Sequence, residues 1–287
     1  MNRLPDTAVN LLICPLDGQA LQKRDNSLVC LNDHSFDIAK RGYVNLLPVQ
    51  HKRSKYPGDS KEMVLARKLF LDLEHYKAIS ATVCELSLPL LHATTLPLVL
   101  DAGCGEGYYL HALYSALNKP LSPFVGLDIS KEAIDEACKR NRNITWIVGS
   151  NRLPPVIDSS VDLTLCMFGF PEFAAFKKIT KPNGWVLLVD PGTEHLRELK
   201  ALIYDDVKPP SEGNSKNALF ENEGFQLRKH ANLHYQTPEL DNNAINNLLK
   251  MTPHFYRATK EKRELASKLQ SLSLTVDVNF TLIQLSG

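Results

Sequence analysis

The stretch VLDAGCGEGYY, residues 99–109, constrains this chain more than any other. An apolar run ends at Asp101, and Gly103, Gly105 and Gly107 follow, with Cys104 and Glu106 between them, before a helix-compatible segment. Glycines in such a turn permit positive φ and let a ligand lie against bare backbone. The C-terminal end of a buried strand is where open α/β sheets bind ligands. A dinucleotide fingerprint requires G-x-G-x-x-G, and Tyr108 stands where its third glycine would fall. The spacing is G-x-G-x-G, which departs from that fingerprint but still suits a nucleotide-like ligand.

The remaining pattern agrees with an open sheet. Short β-rich runs occur at 98–103, 124–129, 144–149, 161–168 and 185–190, most of them separated by helix-compatible segments. Continuous apolar strands alternating with helices predict a parallel sheet covered on both faces. Residues 225–235 and 276–285 read as two more strands, a terminal antiparallel pair. The helical part opens after the Pro57-Gly58 turn, where Asp59 with Glu62 three residues later predicts a capping box. A second helix is expected over 78–92. Three regions follow: 1–37, 38–58 and 59–287. The middle one has no Asp or Glu and carries Lys40, Arg41, His51, Lys52, Arg53 and Lys55, with Tyr43 and Tyr56 among them. Such a segment could grip phosphates and stack on bases.

The glycine turn resembles motif I of class I methyltransferases, in which the loop packs on the methionine and ribose of S-adenosylmethionine. Asp128 ends the next strand, 25 residues after Gly103, where a carboxylate can accept hydrogen bonds from both ribose hydroxyls. The run LPPVIDSSVDLTLCMF, with Leu153, Pro154, Asp158 and Asp162, resembles the loop and fourth strand of the same superfamily. Ser150 and Asn151 could reach the adenine edge.

At the amino terminus, Cys14 and Asp17 sit in one turn, and Cys30 and His34 in another. This is the outline of a small zinc ribbon, and a unit of under 40 residues gains from a metal crosslink. Asp17 stands where such a knuckle usually has a cysteine. Three outcomes stand open: four ligands hold zinc, three hold it weakly, or the metal is gone and packing sustains the fold.

Composition limits the rest. Hydrophobic residues make up 44% of the 287, enough for a packed core. No run approaches the ~20 apolar residues of a membrane span, and the first residues lack a leader's features. Six scattered cysteines predict reduced thiols and a cytoplasmic location. With a net charge of +1, cationic surface for a nucleic acid would have to be local.

The run FDIAKRGYVNLLPVQHKRSKYPGDSKEMVLARKLFLDLEHY, between the cysteine knuckle and DAGCGEGYY, resembles the large-subunit ribosomal RNA guanine-N1 methyltransferases. The resemblance covers nearly the whole chain and favours the Gram-negative branch. It implies a class I, Rossmann-like methyltransferase domain with a doubly wound sheet over 59–287, behind a zinc-ribbon-like domain over 1–37 and a basic connecting segment over 38–58. It implies an S-adenosylmethionine-dependent enzyme acting on a hairpin-loop guanine in domain II of 23S rRNA, working as a homodimer. By position it implies Cys14, Asp17, Cys30 and His34 as metal ligands. Cofactor contacts would be Tyr76, the Gly105–Glu106–Gly107 turn and His195, joining Asp101, Gly103, Asp128 and Asn151. The loop 167–173 departs from the family; Phe168, Phe170 and Phe173 could stack on an extruded base or pack as core. No catalytic base is evident, and Glu172 is a candidate by location only. Two other readings share these residues: a small-molecule or lipid methyltransferase, and an inactive RNA-binding or assembly factor.

Overall fold

The computed structural model describes residues 4–51, 57–204, 214–252 and 258–287. In chain order its elements are β1 (Gln22–Arg24), β2 (Ser27–Val29), β3 (Ser35–Asp37), β4 (Val44–Asn45), α1 (Lys61–Asp72), α2 (Lys77–His92), β5 (Val99–Ala102), α3 (Tyr108–Leu117), β6 (Phe124–Asp128), α4 (Lys131–Arg140), β7 (Thr145–Val148), β8 (Val161–Met167), α5 (Phe173–Ile179) and β9 (Thr180–Pro191). They continue with α6 (Arg197–Ile203), α7 (Asn214–Asn222), β10 (Phe225–Gln236), β11 (Leu240–Asp241), α8 (Asn242–Met251), α9 (Lys260–Ser267), β12 (Ser271–Leu272) and β13 (Thr275–Leu285).

The central sheet has the order β10-β13-β9-β8-β5-β6-β7-β4. From β4 to β9 all neighbours are parallel, while β13 runs antiparallel to both β9 and β10. The apolar runs expected at 98–103, 124–129, 144–149 and 161–168 are therefore the inner strands, and the two late runs form the antiparallel pair. After β7 the chain crosses back to place β8 on the other side of β5. That reversal opens a crevice at the strands' C-terminal ends, and the glycine turn follows β5 there.

Residues 38–58 do more than connect. Val44 and Asn45 pair in parallel with Ile147 and Val148 and extend the sheet by one strand. Tyr43 is buried in the main core, so its ring is unavailable to stack on a base. Arg41 is paired with Asp135 at 2.7 Å. Lys52, Arg53, Lys55 and Tyr56, and the side chain of His51, lie outside the described residues.

The small three-stranded sheet β1-β2-β3 is not an independent bead. Leu4, Leu12, Leu21 and Leu28 share one buried cluster with Leu98, Leu100, Val125, Leu127 and Ile147 of the central sheet. Backbone hydrogen bonds from Ile13 to Pro155 O (3.0 Å) and from Ile157 to Leu11 O (2.9 Å) stitch the two together. Full burial of a leucine is worth ~1.5–3 kcal/mol, so stripping off residues 1–37 would uncover a core face rather than release a module.

The cap of α1 is Ser60, not Asp59. Ser60 is extended, and its hydroxyl accepts from Met63 N. The Asp59 carboxylate is instead taken by the Arg67 guanidinium, one turn and a half along the helix. Among the described residues no helix is long and apolar enough to cross a membrane.

Candidate functional site

The glycine turn rests on a tryptophan. Trp146 in β7 is fully buried, and a side chain at Gly126 would start 2.2 Å from its ring. Gly107, at φ +83° and capping α3, would meet the same ring at 2.5 Å. Only hydrogen fits at either place, so the turn lies tight on the indole. Gly103 and Gly105 also have positive φ, but a side chain there would first meet Asn151 at 3.7 Å and Arg67 at 3.8 Å. The turn's two outward-facing glycines thus leave backbone bare for a ligand.

Asp128 ties the turn in place. Its carboxylate accepts from Gly105 N at 2.9 Å and from Ser130 N at 2.8 Å. Ser130 in turn donates through its hydroxyl to Asp59 O at 2.7 Å, anchoring the entry of α1. Burial raises the Asp128 carboxyl above its ordinary range, and the two N–H donors oppose that shift. Asp101, at the end of β5, is buried, and its Oδ1 has no hydrogen-bond partner. Burial lifts its carboxyl well above the usual carboxylate range, and Asp128 and Glu106 add to the effect. An orphaned, buried acceptor beside bare backbone is a place for a donor from outside the protein.

The other expected residues divide into two groups. Asn151 donates to Ala102 O at 3.2 Å and so stands against the turn. Tyr76 and His195 meet, with Tyr76 Oη 3.5 Å from His195 Nε2, both buried. His195 Nδ1 accepts from Asp277 N at 3.3 Å, which leaves the proton on Nε2 facing the tyrosine. Glu106 points away from the crevice. It is buried against Arg140 at 3.1 Å and accepts from Tyr108 N at 3.2 Å. Any contact from Glu106 to a ligand would come from its backbone. Arg140 also bonds Asp72 at 2.9 Å; nothing in its sequence neighbourhood marks it, and only the fold brings it to the turn.

The loop 167–173 splits. Phe173 is core, packed on Phe176, Phe220 and Phe225. Phe168 has φ +52°, a strained conformation for a bulky residue. Its ring, 38% exposed, stacks at 23° on His195 and approaches Tyr109 at 6.2 Å. Phe170 is 88% exposed. Glu172 is held by Arg152 at 3.1 Å. Asp162, placed beside these in the sequence, is structural: it accepts from Leu98 N and Lys181.

At the amino terminus the ligand atoms of Cys14, Asp17, Cys30 and His34 lie within 4.8 Å of one another. His34 Nδ1 is 3.5 Å from each sulfur and 3.0 Å from Asp17 Oδ2, and Cys30 Sγ is 3.4 Å from that oxygen. A tetrahedral zinc with such ligands has edges of about 3.3–3.8 Å. Two sulfurs, one imidazole nitrogen and one carboxylate oxygen at this spacing fit the ion. Asn32 and the Gln19 N–H fix the aspartate at 2.9 and 3.0 Å.

Comparison with known proteins bears on both regions. A zinc-ribbon family model described as "RlmA, N-terminal" matches residues 12–55, and one described as "Methyltransferase domain" matches 99–184. A Bacillus subtilis (strain 168) protein, provisionally named 23S rRNA (guanine-N(1)-)-methyltransferase YxjB, is 30% identical over 93% of this chain and 94% of its own. The 23S rRNA (guanine(748)-N(1))-methyltransferase of Streptomyces fradiae is 29% identical over 95% and 96%. Among solved structures, a chain from the complex of the Haloferax volcanii Trm112 methyltransferase activator with a provisionally assigned methyltransferase superposes with a TM-score of 0.52. It shares 20% identity and covers 80% of this chain and 99% of that one, a likeness of fold.

The orphaned Asp101 yields a prediction about stability. Its carboxyl is raised in the folded state, so between about pH 4 and that raised value the folded chain holds the proton more tightly than the unfolded one. Stability therefore falls as pH climbs through this window. Asp101→Asn removes the buried charge. By calorimetry it should match the wild type near about pH 4 and exceed it at neutral pH by about 1–2 kcal/mol, a few degrees in Tm. A variant less stable at every pH contradicts the assignment.

Proposed function

Since the chain belongs to the family of 23S rRNA (guanine-N1)-methyltransferases, we propose that it methylates N1 of a hairpin-loop guanine in domain II of 23S rRNA, using S-adenosylmethionine. The observation that carries this reading is the bare Gly103–Gly105 backbone lying between the Asp128 carboxylate and the orphaned Asp101 oxygen. These residues fit the cofactor: space and no side chain at the turn, and carboxylates for hydroxyl and ammonium donors. When bound, S-adenosylmethionine supplies an electrophilic methyl on its sulfonium.

The chain's own residues do the holding. Asp128 has lone pairs beyond its two backbone bonds and receives the ribose hydroxyls. Asn151 borders the turn on the base side, and Tyr76 with His195 closes the methionine side. Both rings are buried and exclude water. Phe168, turned out by its strained backbone onto His195, offers a face on which an extruded base stacks. Guanine N1 bears a proton that must leave. Glu172 is ion-paired with Arg152, and we assign no base.

Cys14, Asp17, Cys30 and His34 are read as a zinc site, the ribbon domain as 1–37, and the catalytic domain as 59–287 with 38–58 between. In this reading the ribbon and the following basic stretch face the RNA, and two copies form a dimer. The exposed leucines at 65 and 69 of α1 and at 73 just after it support a second copy.

Incubation with methyl-labelled cofactor and unmethylated 23S rRNA should place one label per rRNA on a domain II guanine at N1. Label found only in lipid, small molecules or protein refutes the reading. For the metal, burial raises the metal-free Cys14 thiol to about 11, aided by its Asp17 and Cys30 neighbours. Binding must release that proton, so affinity should fall as pH falls. Protein purified without chelator should hold about one zinc per chain. Asp17→Ala should lose it to a chelator concentration the wild type withstands. Less than about one ion in five chains, or an Asp17→Ala that holds zinc equally, contradicts the site.

A further inference from the structure

We infer that Arg67 is the positioning residue that clamps the carboxylate of the cofactor's amino-acid end, an inference that rests on the S-adenosylmethionine reading above. The arginine comes from α1, remote in sequence from the glycine turn. Its Nη1 nevertheless lies 3.8 Å from the point where a side chain at Gly105 would begin, and its Cδ 4.0 Å away. The guanidinium is held on two sides. Asp59 takes Nη1, and Met251 O accepts from Nη2 at 3.3 Å. Of its five N–H donors, these contacts engage two, and the side chain borders Gly105.

Charge explains why a cation is needed there. The turn is ringed by Asp101, Glu106 and Asp128. The Asp101 and Asp128 carboxylates suit the ammonium, the sulfonium and the ribose hydroxyls, but they repel a ligand carboxylate. Glu106 is already paired with Arg140, which is itself shared with Asp72. Arg67 is not consumed in that way: one acid, Asp59, pairs it directly, while Glu106 and Asp128 act on it from farther off. Burial opposes its charge, and these three acids sustain it. A planar guanidinium fixed by partners on two sides loses little entropy when it takes a carboxylate in a forked, charge-assisted contact.

The same network makes the clamp part of the turn's assembly. Asp59 pairs with Arg67 through its side chain and accepts from Ser130 through its carbonyl, next to the Asp128 that receives Gly105 N. Gly58 packs so closely on Ile129 and Ser130 that a side chain there would start 2.8–2.9 Å from their atoms. The arginine's position over Gly105 is therefore set by backbone packing, not by the reach of a long side chain alone.

The test uses the full chain, calorimetry and three stable ligands. S-adenosylhomocysteine has the carboxylate, S-adenosyl-3-thiopropylamine lacks only that group, and 5′-methylthioadenosine lacks the whole amino-acid end. Wild type should bind the first ~10–100-fold more tightly than the second, as a charge-assisted pair implies. Arg67→Gln should lose about that factor for S-adenosylhomocysteine, while its affinity for the other two stays within about threefold. Arg67→Lys should fall between. Equal weakening of all three ligands would make Arg67 a structural brace and overturn the proposal. So would a wild type that does not distinguish the first two, a comparison that stands even if Arg67→Gln fails to fold. A wild type that binds none of the three contradicts the methyltransferase reading itself, a separate failure.

Discussion

The Asp128 carboxylate is the point on which the site depends. By accepting from Gly105 N and Ser130 N it joins the end of β6 to the turn after β5 and to the start of α4. Ser130 passes the constraint to Asp59, and Asp59 passes it to Arg67 and α1. A single half-buried acid thus orders three chain segments that are far apart in sequence. Its raised carboxyl is the consequence: the protein keeps a poorly solvated charge where a ligand with hydroxyl donors would satisfy it. Asp101 stands in the same position with less compensation.

The two halves of the molecule are one physical object. The ribbon strands bury leucines against β5, β6 and β7, on the face where a doubly wound sheet usually carries a helix. The segment after them adds β4 to the sheet edge. A metal in the knuckle would act on the catalytic sheet's own cover. For the same reason, deleting the amino-terminal residues would not separate an RNA-binding role from a folding role.

Much of this was legible in the sequence because the signals were local. Apolar runs mark β5 to β8, and the turn's glycines and Asp128 announce the crevice. What was missed depends on contacts between distant segments. Val44 and Asn45 form a two-residue strand that no periodicity can reveal. Asp59 looks like a helix cap until Arg67 claims it and Ser60 takes its role. The run at 185–190 is only part of β9, which begins at Thr180 because a register shift opposite Val161 absorbs the intervening residues. Glu106 has the sequence position of a ligand contact, but its side chain is buried against Arg140. In 167–173 the three phenylalanines look alike in sequence; a single positive φ at Phe168 separates the one that faces the site from the one in the core.

The most direct measurement is a crystal structure of the chain grown with S-adenosylhomocysteine. The account predicts the ribose hydroxyls on the Asp128 carboxylate, with the nucleoside lying over Gly103 and Gly105. A crevice empty at saturating ligand, or a ribose bound away from Asp128, would contradict it.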